Sequence, residues 1–224
     1  MHVVIFAGGT LRPGRAVEEA LATADMIIAA DSGAATALRF GYTPAIIVGD
    51  FDSLALSEQE LTSLGSQVIR ATVKKDETDT ELAVLTAIER RADHITILGG
   101  LGGARFDHMM ANILLLAGFE IPLRIVDGPS TCWLLRGPGS TNIEGQTGDL
   151  LSLLPLTGDA AGIRTAGLYY PLAGETLHFG RPRGVSNVLV SDSASVFLER
   201  GMLLVIHTNT QEIDAQSTQH EKYG

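Results

Sequence analysis

Short apolar runs recur along the first 127 residues, at His2 to Ala7, Met26 to Ala30, Ala45 to Val48, Gln67 to Ala71, His94 to Leu98 and Leu123 to Val126. Their brevity and their content of Val, Ile and Leu predict strands buried on both faces. Between them, Arg15 to Thr23, Gly33 to Phe40, Ser57 to Leu64, Asp79 to Arg90 and His108 to Ala117 predict helices. Strand alternating with helix implies right-handed crossovers and a doubly wound, mostly parallel sheet. In the fourth helix Leu82, Leu85 and Ile88, with Ala83 and Ala87, recur at helical spacing, and Thr78 with Glu81 makes a capping box at its start.

The pattern changes after Gly128. Thr131 to Arg136, Leu150 to Leu154, Gly162 to Thr165, Glu175 to Phe179, Val188 to Ser191, Ser195 to Leu198 and Met202 to His207 are β-like pieces separated by turn residues. Short strands at this spacing predict an antiparallel sandwich. The chain thus divides into an α/β domain over residues 1–128 and an all-β sandwich domain over 129–208. Residues 209–224 form a polar tail expected to fray.

Composition narrows the function. With 45% hydrophobic and 19% charged residues in 224, the chain is ordinary globular protein. A formal net charge of −10 excludes an extended nucleic-acid surface, which needs clustered Lys and Arg. One cysteine, Cys132, allows no intrachain disulfide. The start of the chain lacks the basic and apolar regions of a signal peptide, and no apolar run approaches the roughly 18 residues of a membrane span. A cytoplasmic protein that binds neither nucleic acid nor membrane is expected.

The chemistry lies in the loops after the predicted strands. Gly8-Gly9-Thr10 follow the first, Asp31-Ser32-Gly33 the second, and Gly49-Asp50-Phe51-Asp52-Ser53 the third. Lys75, Asp76, Thr78 and Asp79 follow the fourth; Gly99, Gly100, Gly102, Gly103, Arg105 and Asp107 follow the fifth. In a parallel sheet these loops share the carboxyl edge, where ligands of open α/β folds bind. Mg²⁺ takes one or two carboxylates plus phosphate oxygens and waters, a role that suits Asp50 and Asp52 with Phe51 turned into the protein. Glycines admit phosphate to backbone N–H groups, and Lys75 or Arg105 can bind it as a cation. Any one loop alone is explained by turn geometry, Asp79 by the helix dipole and Asp107 as an N-cap. Five such loops at one edge point to a site. The G-T-L-R-P-G-R run from Gly9 lacks the Lys and Ser/Thr of a P-loop, and G-G-L-G-G-A-R from Gly99 lacks the third glycine of a dinucleotide fingerprint.

These segments resemble the thiamine pyrophosphokinase family. The similarity is carried in order by Asp31-Ser32-Gly33-Ala34, G-D-F-D-S from Gly49, K-D-E-T-D from Lys75, and Gly102-Gly103-Ala104-Arg105-Phe106-Asp107-His108 with Asn112. L-S-L-L-P-L from Leu151, Gly167-Leu168 with Tyr170-Pro171-Leu172, and Val185-Ser186-Asn187 continue it in the second half. The resemblance implies transfer of a pyrophosphoryl group from ATP to the thiamine hydroxyl, giving thiamine diphosphate and AMP. It also implies Mg²⁺, an α/β domain followed by a thiamine-binding sandwich, and a homodimer with a shared active site. By motif, Asp50, Asp52 and Asp79 become the metal and phosphate-site carboxylates, and Asp31, Asp76 and Asp107 complete the acidic site. Ser32, Lys75, Thr78, Gly102, Arg105 and Asn112 join the ATP site; Ser186 and Asn187 line the thiamine pocket; Asp79 or Asp107 accepts the hydroxyl proton. Ser32 stands where many members have glycine, and Arg181 and Arg183 precede Val185-Ser186-Asn187 in what reads as a solvated turn. Trp133 reads as core. A pyrophosphokinase of another hydroxymethyl heterocycle, such as a pterin, and a nucleotide-binding module without turnover are the alternatives.

Overall fold

A computed structural model describes residues 1–51, 58–71 and 76–213. The chain forms two compact units, Met1–Gly128 and Pro129–Gly224. The first runs β1 (His2–Phe6), α1 (Arg15–Ala22), β2 (Met26–Ala30), α2 (Gly33–Arg39), β3 (Ile46–Gly49), α3 (Glu58–Ser63), β4 (Gln67–Arg70), α4 (Asp79–Glu89), β5 (His94–Leu98), α5 (Phe106–Gly118) and β6 (Leu123–Asp127). Its strands pair parallel in the order β4-β3-β2-β1-β5-β6. The chain winds outward from β1 through β4, then crosses back to β5 on the other side of β1. The order therefore reverses between β1 and β5, which opens a crevice at their carboxyl ends. All five residues of β1 are buried, as a central parallel strand requires.

Two helices differ from the sequence expectation. Leu85 and Ile88 of α4 stay 36% and 38% exposed, while Thr80, Ala83, Val84, Thr86 and Ala87 are buried. Thr80, Ala83, Val84 and Ala87 have the i, i+3, i+4, i+7 spacing of a core-facing stripe; Leu82, Leu85 and Ile88 repeat every three residues and drift off it. Small side chains let α4 lie close to the sheet. Helix α5 begins at Phe106, two residues before the expected start, so Asp107 lies inside the first turn and is not an N-cap. Thr78 does cap α4, its hydroxyl accepting from the Glu81 N–H at 3.1 Å.

At the amino ends of the strands, opposite the crevice, the buried His2 ring stacks on His94 at 4.4 Å. Its Nδ1 meets the Thr23 carbonyl and hydroxyl at 3.1 and 3.2 Å, and its Nε2 meets the Thr96 hydroxyl at 2.9 Å. Arg124 donates to that same hydroxyl, and the His2 backbone N–H donates to Asp25. Burial, reinforced by His94 and Arg124, holds the His2 pKa below its ordinary 6.5, against the Thr23 hydrogen bond and Asp25, which favour the proton. On acidification the unfolded chain takes up this proton first, so the stability is intact above about pH 6.5 and is lost as pH falls through the folded value. Melting temperatures at about pH 7.5 and 5.5 are expected to differ less in His2→Gln than in the wild type; an equal pH slope in both would refute this.

The second unit contains β7 (Ser130–Arg136), β8 (Gly139–Glu144), β9 (Leu150–Pro155), β10 (Ala160–Ala166), β11 (Ala173–Leu177), β12 (Asn187–Val188), β13 (Ser193–Leu198) and β14 (Met202–Thr208). It is all-β and antiparallel. One group of strands pairs in the order β12-β9-β14-β7 and the other in the order β11-β10-β13-β8. A single buried cluster takes Leu151 and Val205 from the first group and Ile143 and Val196 from the second, with Trp133 packed against it. Strand β8 is absent from the sequence expectation because Gly-Ser-Thr-Asn-Ile-Glu buries only Ile143 and shows no apolar run. The expected fraying also fails at the start of the tail. Buried Asp149 accepts from the Thr210 N–H at 3.2 Å, and Asn209 accepts from Glu212 and donates its own N–H to the Pro129 carbonyl.

Candidate functional site

A cleft of about 430 Å³ occupies the crevice where the strand order reverses. The loop after β1 (Gly8 to Thr10), Asp31 and Ser32 after β2, Thr78 and Asp79 at the start of α4, and the loop after β5 wall it in. The first turns of α4 and α5 both open onto it. Their positive dipole ends favour a bound anion.

Glycine makes this convergence possible. A Cβ on Gly33 would stand 2.0 Å from the Phe6 carbonyl oxygen, so only glycine lets α2 start against the end of β1 and bring Asp31 to the cleft. Asp31 has a φ of 45° and donates its N–H to Val48 at 2.8 Å, which fixes its direction. A Cβ on Gly9 would lie 2.3 Å from both the Gly99 and Gly102 carbonyl oxygens. The loops after β1 and β5 are therefore in backbone contact. Asp127, 1% exposed, holds the first of these loops by accepting from the Arg12 N–H at 2.9 Å and from its guanidinium at 3.0 and 3.3 Å.

The structure gathers Asp31, Ser32, Thr78, Asp79, Gly102, Arg105 and Asn112 around the cleft. Asp50, Asp76 and Asp107 do not line it; Asp52 and Lys75 lie outside the described residues. The backbone around Asp50 is shaped by Phe51, which has a φ of 64°, packs against the core, and carries Arg70 over its ring at 5.5 Å. Asn112 is buried and donates to the Gly100 carbonyl at 2.9 Å, so part of its amide positions the loop. Asp107 forms a two-pronged pair with Arg105, at 2.9 and 2.7 Å. The Arg105 hydrogen bonds hold its carboxyl well below the usual carboxylate range. It is a weak proton acceptor, and its pair with Arg105 is exposed to solvent. Gly8 to Thr10, expected at the carboxyl edge as the loop after the first strand, form one wall of the cleft.

A second cavity, of about 470 Å³, lies wholly within the all-β unit. Buried Leu153 and Leu177 are part of its lining, with Tyr169 and Tyr170, Arg183, Ser186 and Asn187 around them. Ser186 has a φ of 59° and donates its N–H to the Ser152 hydroxyl at 3.0 Å. Arg183, expected in a solvated turn, lines this cavity and stands 3.9 Å from Glu175.

Comparison with known proteins agrees with these features. Residues 17–125 match the family model for the thiamin pyrophosphokinase catalytic domain, and residues 140–203 match that for the thiamin pyrophosphokinase vitamin B1 binding domain. Thiamine pyrophosphokinase from Bacillus subtilis is 30% identical over 186 residues, covering 81% of this chain and 86% of that protein. The crystal structure of thiamine pyrophosphokinase from Bacillus subtilis superposes with a TM-score of 0.80 over 93% of this chain and 99% of that one. Thiamin pyrophosphokinase from Geobacillus thermodenitrificans, 27% identical, gives 0.78 over 93% and 98%. The chain belongs to the thiamine pyrophosphokinase family.

Proposed function

We propose that this protein transfers the diphosphate end of ATP to the hydroxyl of thiamine, giving thiamine diphosphate and AMP. The cleft between the β1 and β5 loops carries this reading: two helix N-termini, close-packed glycines and the Asp31 and Asp79 carboxylates meet there. Glycine N–H groups and Arg105 hold the phosphates, with Arg105 kept in place by Asp107. The donor set is hard oxygen, as Mg²⁺ demands, and Asp79 would hold it, joined by Asp50 and Asp52 of the G-D-F-D-S motif. Mg²⁺ when bound neutralises phosphate charge. Among the described residues no group of three acidic, His or Cys side chains stands ready for a metal. That suits an ion whose remaining ligands come from the phosphates. A loose transition state keeps the hydroxyl proton in place until late, so no strong base is required.

Thiamine occupies the cavity of the all-β unit, which presents the Ser186 segment and two tyrosines. The protein acts as a cytoplasmic homodimer. An outward apolar stripe on α5, with Phe106 at 68% and Leu114 at 53% exposure, supplies surface that a second copy would cover. No helix among the described residues is long and apolar enough to cross a membrane.

Purified protein with ATP, Mg²⁺ and thiamine is expected to release AMP and thiamine diphosphate in equal amounts. ADP as the nucleotide product would overturn diphosphate transfer. Turnover with a hydroxymethylpterin but not with thiamine would reassign the acceptor, and ATP binding without turnover on any acceptor would make the chain a binding module.

A further inference from the structure

Arg183 is the only charged side chain among the described residues that line the cavity of the all-β unit. The local backbone fixes its place. The single turn Pro182–Gly184 is closed by the Val185 N–H on the Pro182 carbonyl at 3.3 Å, and the Arg181 N–H donates to the His178 carbonyl at 3.1 Å. A Cβ on Gly184 would stand 2.2 Å from the Leu153 carbonyl oxygen, so the turn is pressed against β9 and Arg183 leaves the wall from a fixed point. Its guanidinium donates no hydrogen bond among the described residues, and its only ion-pair partner among them is Glu175 at 3.9 Å, beyond hydrogen-bonding reach. The other oxygen of that carboxylate accepts from the Ala173 N–H. Leu153 and Leu177, 2% and 1% exposed, form the floor of the cavity, whereas the Arg183 side chain is 62% exposed and stands at the rim. Such a cavity takes a ligand apolar end first and leaves its polar end beside Arg183.

Thiamine carries a fixed positive charge on its thiazolium ring, and a second cation at the rim opposes its binding. The diphosphate added to its hydroxyl carries several negative charges and reverses the sign of that interaction. We propose that Arg183 is a specificity-determining residue that recognises the diphosphate end of the product, so that this cavity holds thiamine diphosphate more tightly than thiamine and the enzyme is restrained by its own product. This rests on the thiamine reading above and deepens it by assigning regulation to the same cavity. The planar fork of Arg183, with its N–H donors uncommitted, matches phosphate oxygens in pairs, and Glu175 tempers its charge.

Inhibition by added thiamine diphosphate, measured at varied thiamine and fixed ATP, tests this, with melting curves recorded for every variant. In the wild type the inhibition is expected to be competitive with thiamine. Arg183→Gln is expected to raise the inhibition constant about tenfold, the loss of one charge-assisted pair, while the thiamine KM stays level or falls and kcat does not drop. Arg183→Lys keeps the charge without the fork and should recover part of the affinity. Glu175→Gln removes the opposing carboxylate and should move the constant the other way, tightening product binding a few-fold. Arg181→Gln, at an arginine outside the cavity lining, should change nothing. An unchanged inhibition constant in Arg183→Gln overturns the inference, as does an equal loss in Arg181→Gln, which would reduce the effect to general surface charge. A fall in kcat with product affinity intact also overturns it and places Arg183 at the transferring phosphoryl group. Calorimetric titration with thiamine diphosphate separates the inference from the proposed reaction. If the wild type binds it through Arg183 but does not turn thiamine over, the reaction alone falls; if neither thiamine nor its diphosphate binds, both fall.

Discussion

Asp79→Asn is expected to lower AMP formation from ATP and thiamine by about 100-fold or more while shifting the melting temperature by only a few degrees. Asp79 sits in the first turn of α4, where a carboxylate has an alternative explanation as a partner of the helix dipole. The two roles differ sharply in size. A dipole partner is worth about 0.3–1 kcal/mol of stability and nothing in catalysis. Removing a carboxylate that would hold the charge-neutralising metal at a transferring phosphoryl group costs on the order of 3–4 kcal/mol in the transition state. Asn preserves the shape and one acceptor oxygen while removing the charge and turning the other oxygen into a donor, so the loss reports the carboxylate as a whole. If Asp79 holds Mg²⁺, the concentration needed for half-maximal rate should rise in the variant. Near-normal turnover at saturating Mg²⁺, with the stability loss alone, would return Asp79 to the helix dipole. Asp107→Asn should behave differently. Its carboxyl is exposed and committed to Arg105, so the loss should appear mainly as weaker ATP binding.

The strands of the α/β unit were legible because parallel strands buried on both faces are nearly continuous apolar runs, and all six lie within one residue of the expected limits at both ends. Side-chain size misled where geometry mattered more. Leu85 and Ile88 look like a core stripe by hydrophobicity, yet the close approach of α4 to the sheet selects Ala83 and Ala87. Strand β8 was invisible because one buried residue in six leaves no period to detect. Asp31, Thr78 and Asp79 were legible from their places in loops after successive strands, since turn geometry explains any one such loop but not five at one edge. That Asp107 pairs with Arg105, or that Asn187 spends its amide on Tyr170, depends on rotamers and loop paths no motif encodes. Gly8 to Thr10 were legible as a loop at the carboxyl edge, but the packing of that loop against the one after β5 depends on the pairing of β1 with β5.

That same pairing makes Gly102 the most sensitive position in the first unit after the carboxylates. Gly102 is not held to glycine by a left-handed backbone, as Gly103 is at a φ of 110°. It is held by contact: an added Cβ would fall 1.9 Å from the Thr10 carbonyl oxygen and 3.0 Å from its carbon. Both are backbone atoms, so no side chain can swing aside and one loop must move. Separating them to ordinary van der Waals distance requires a shift of more than about 1 Å, and a displacement of that size in a site built on positioning can cost roughly 100-fold in rate. Stability should suffer less, by about 1–3 kcal/mol, because the strain falls at the sheet edge where loops can give, outside the packed interior. Gly102→Ala is therefore expected to retain a folded melt, lowered by several degrees, with kcat/KM for ATP down by about two orders of magnitude. Gly118→Ala supplies the control. A Cβ there meets nothing within 4 Å and no positive φ forbids it, so the change should be neutral or stabilising by up to about 1 kcal/mol with activity intact. Equal activity in the two variants would mean that the contact between the β1 and β5 loops does not set the geometry of the phosphate site. A selective loss in Gly102→Ala would tie the chemistry to the point where the strand order reverses.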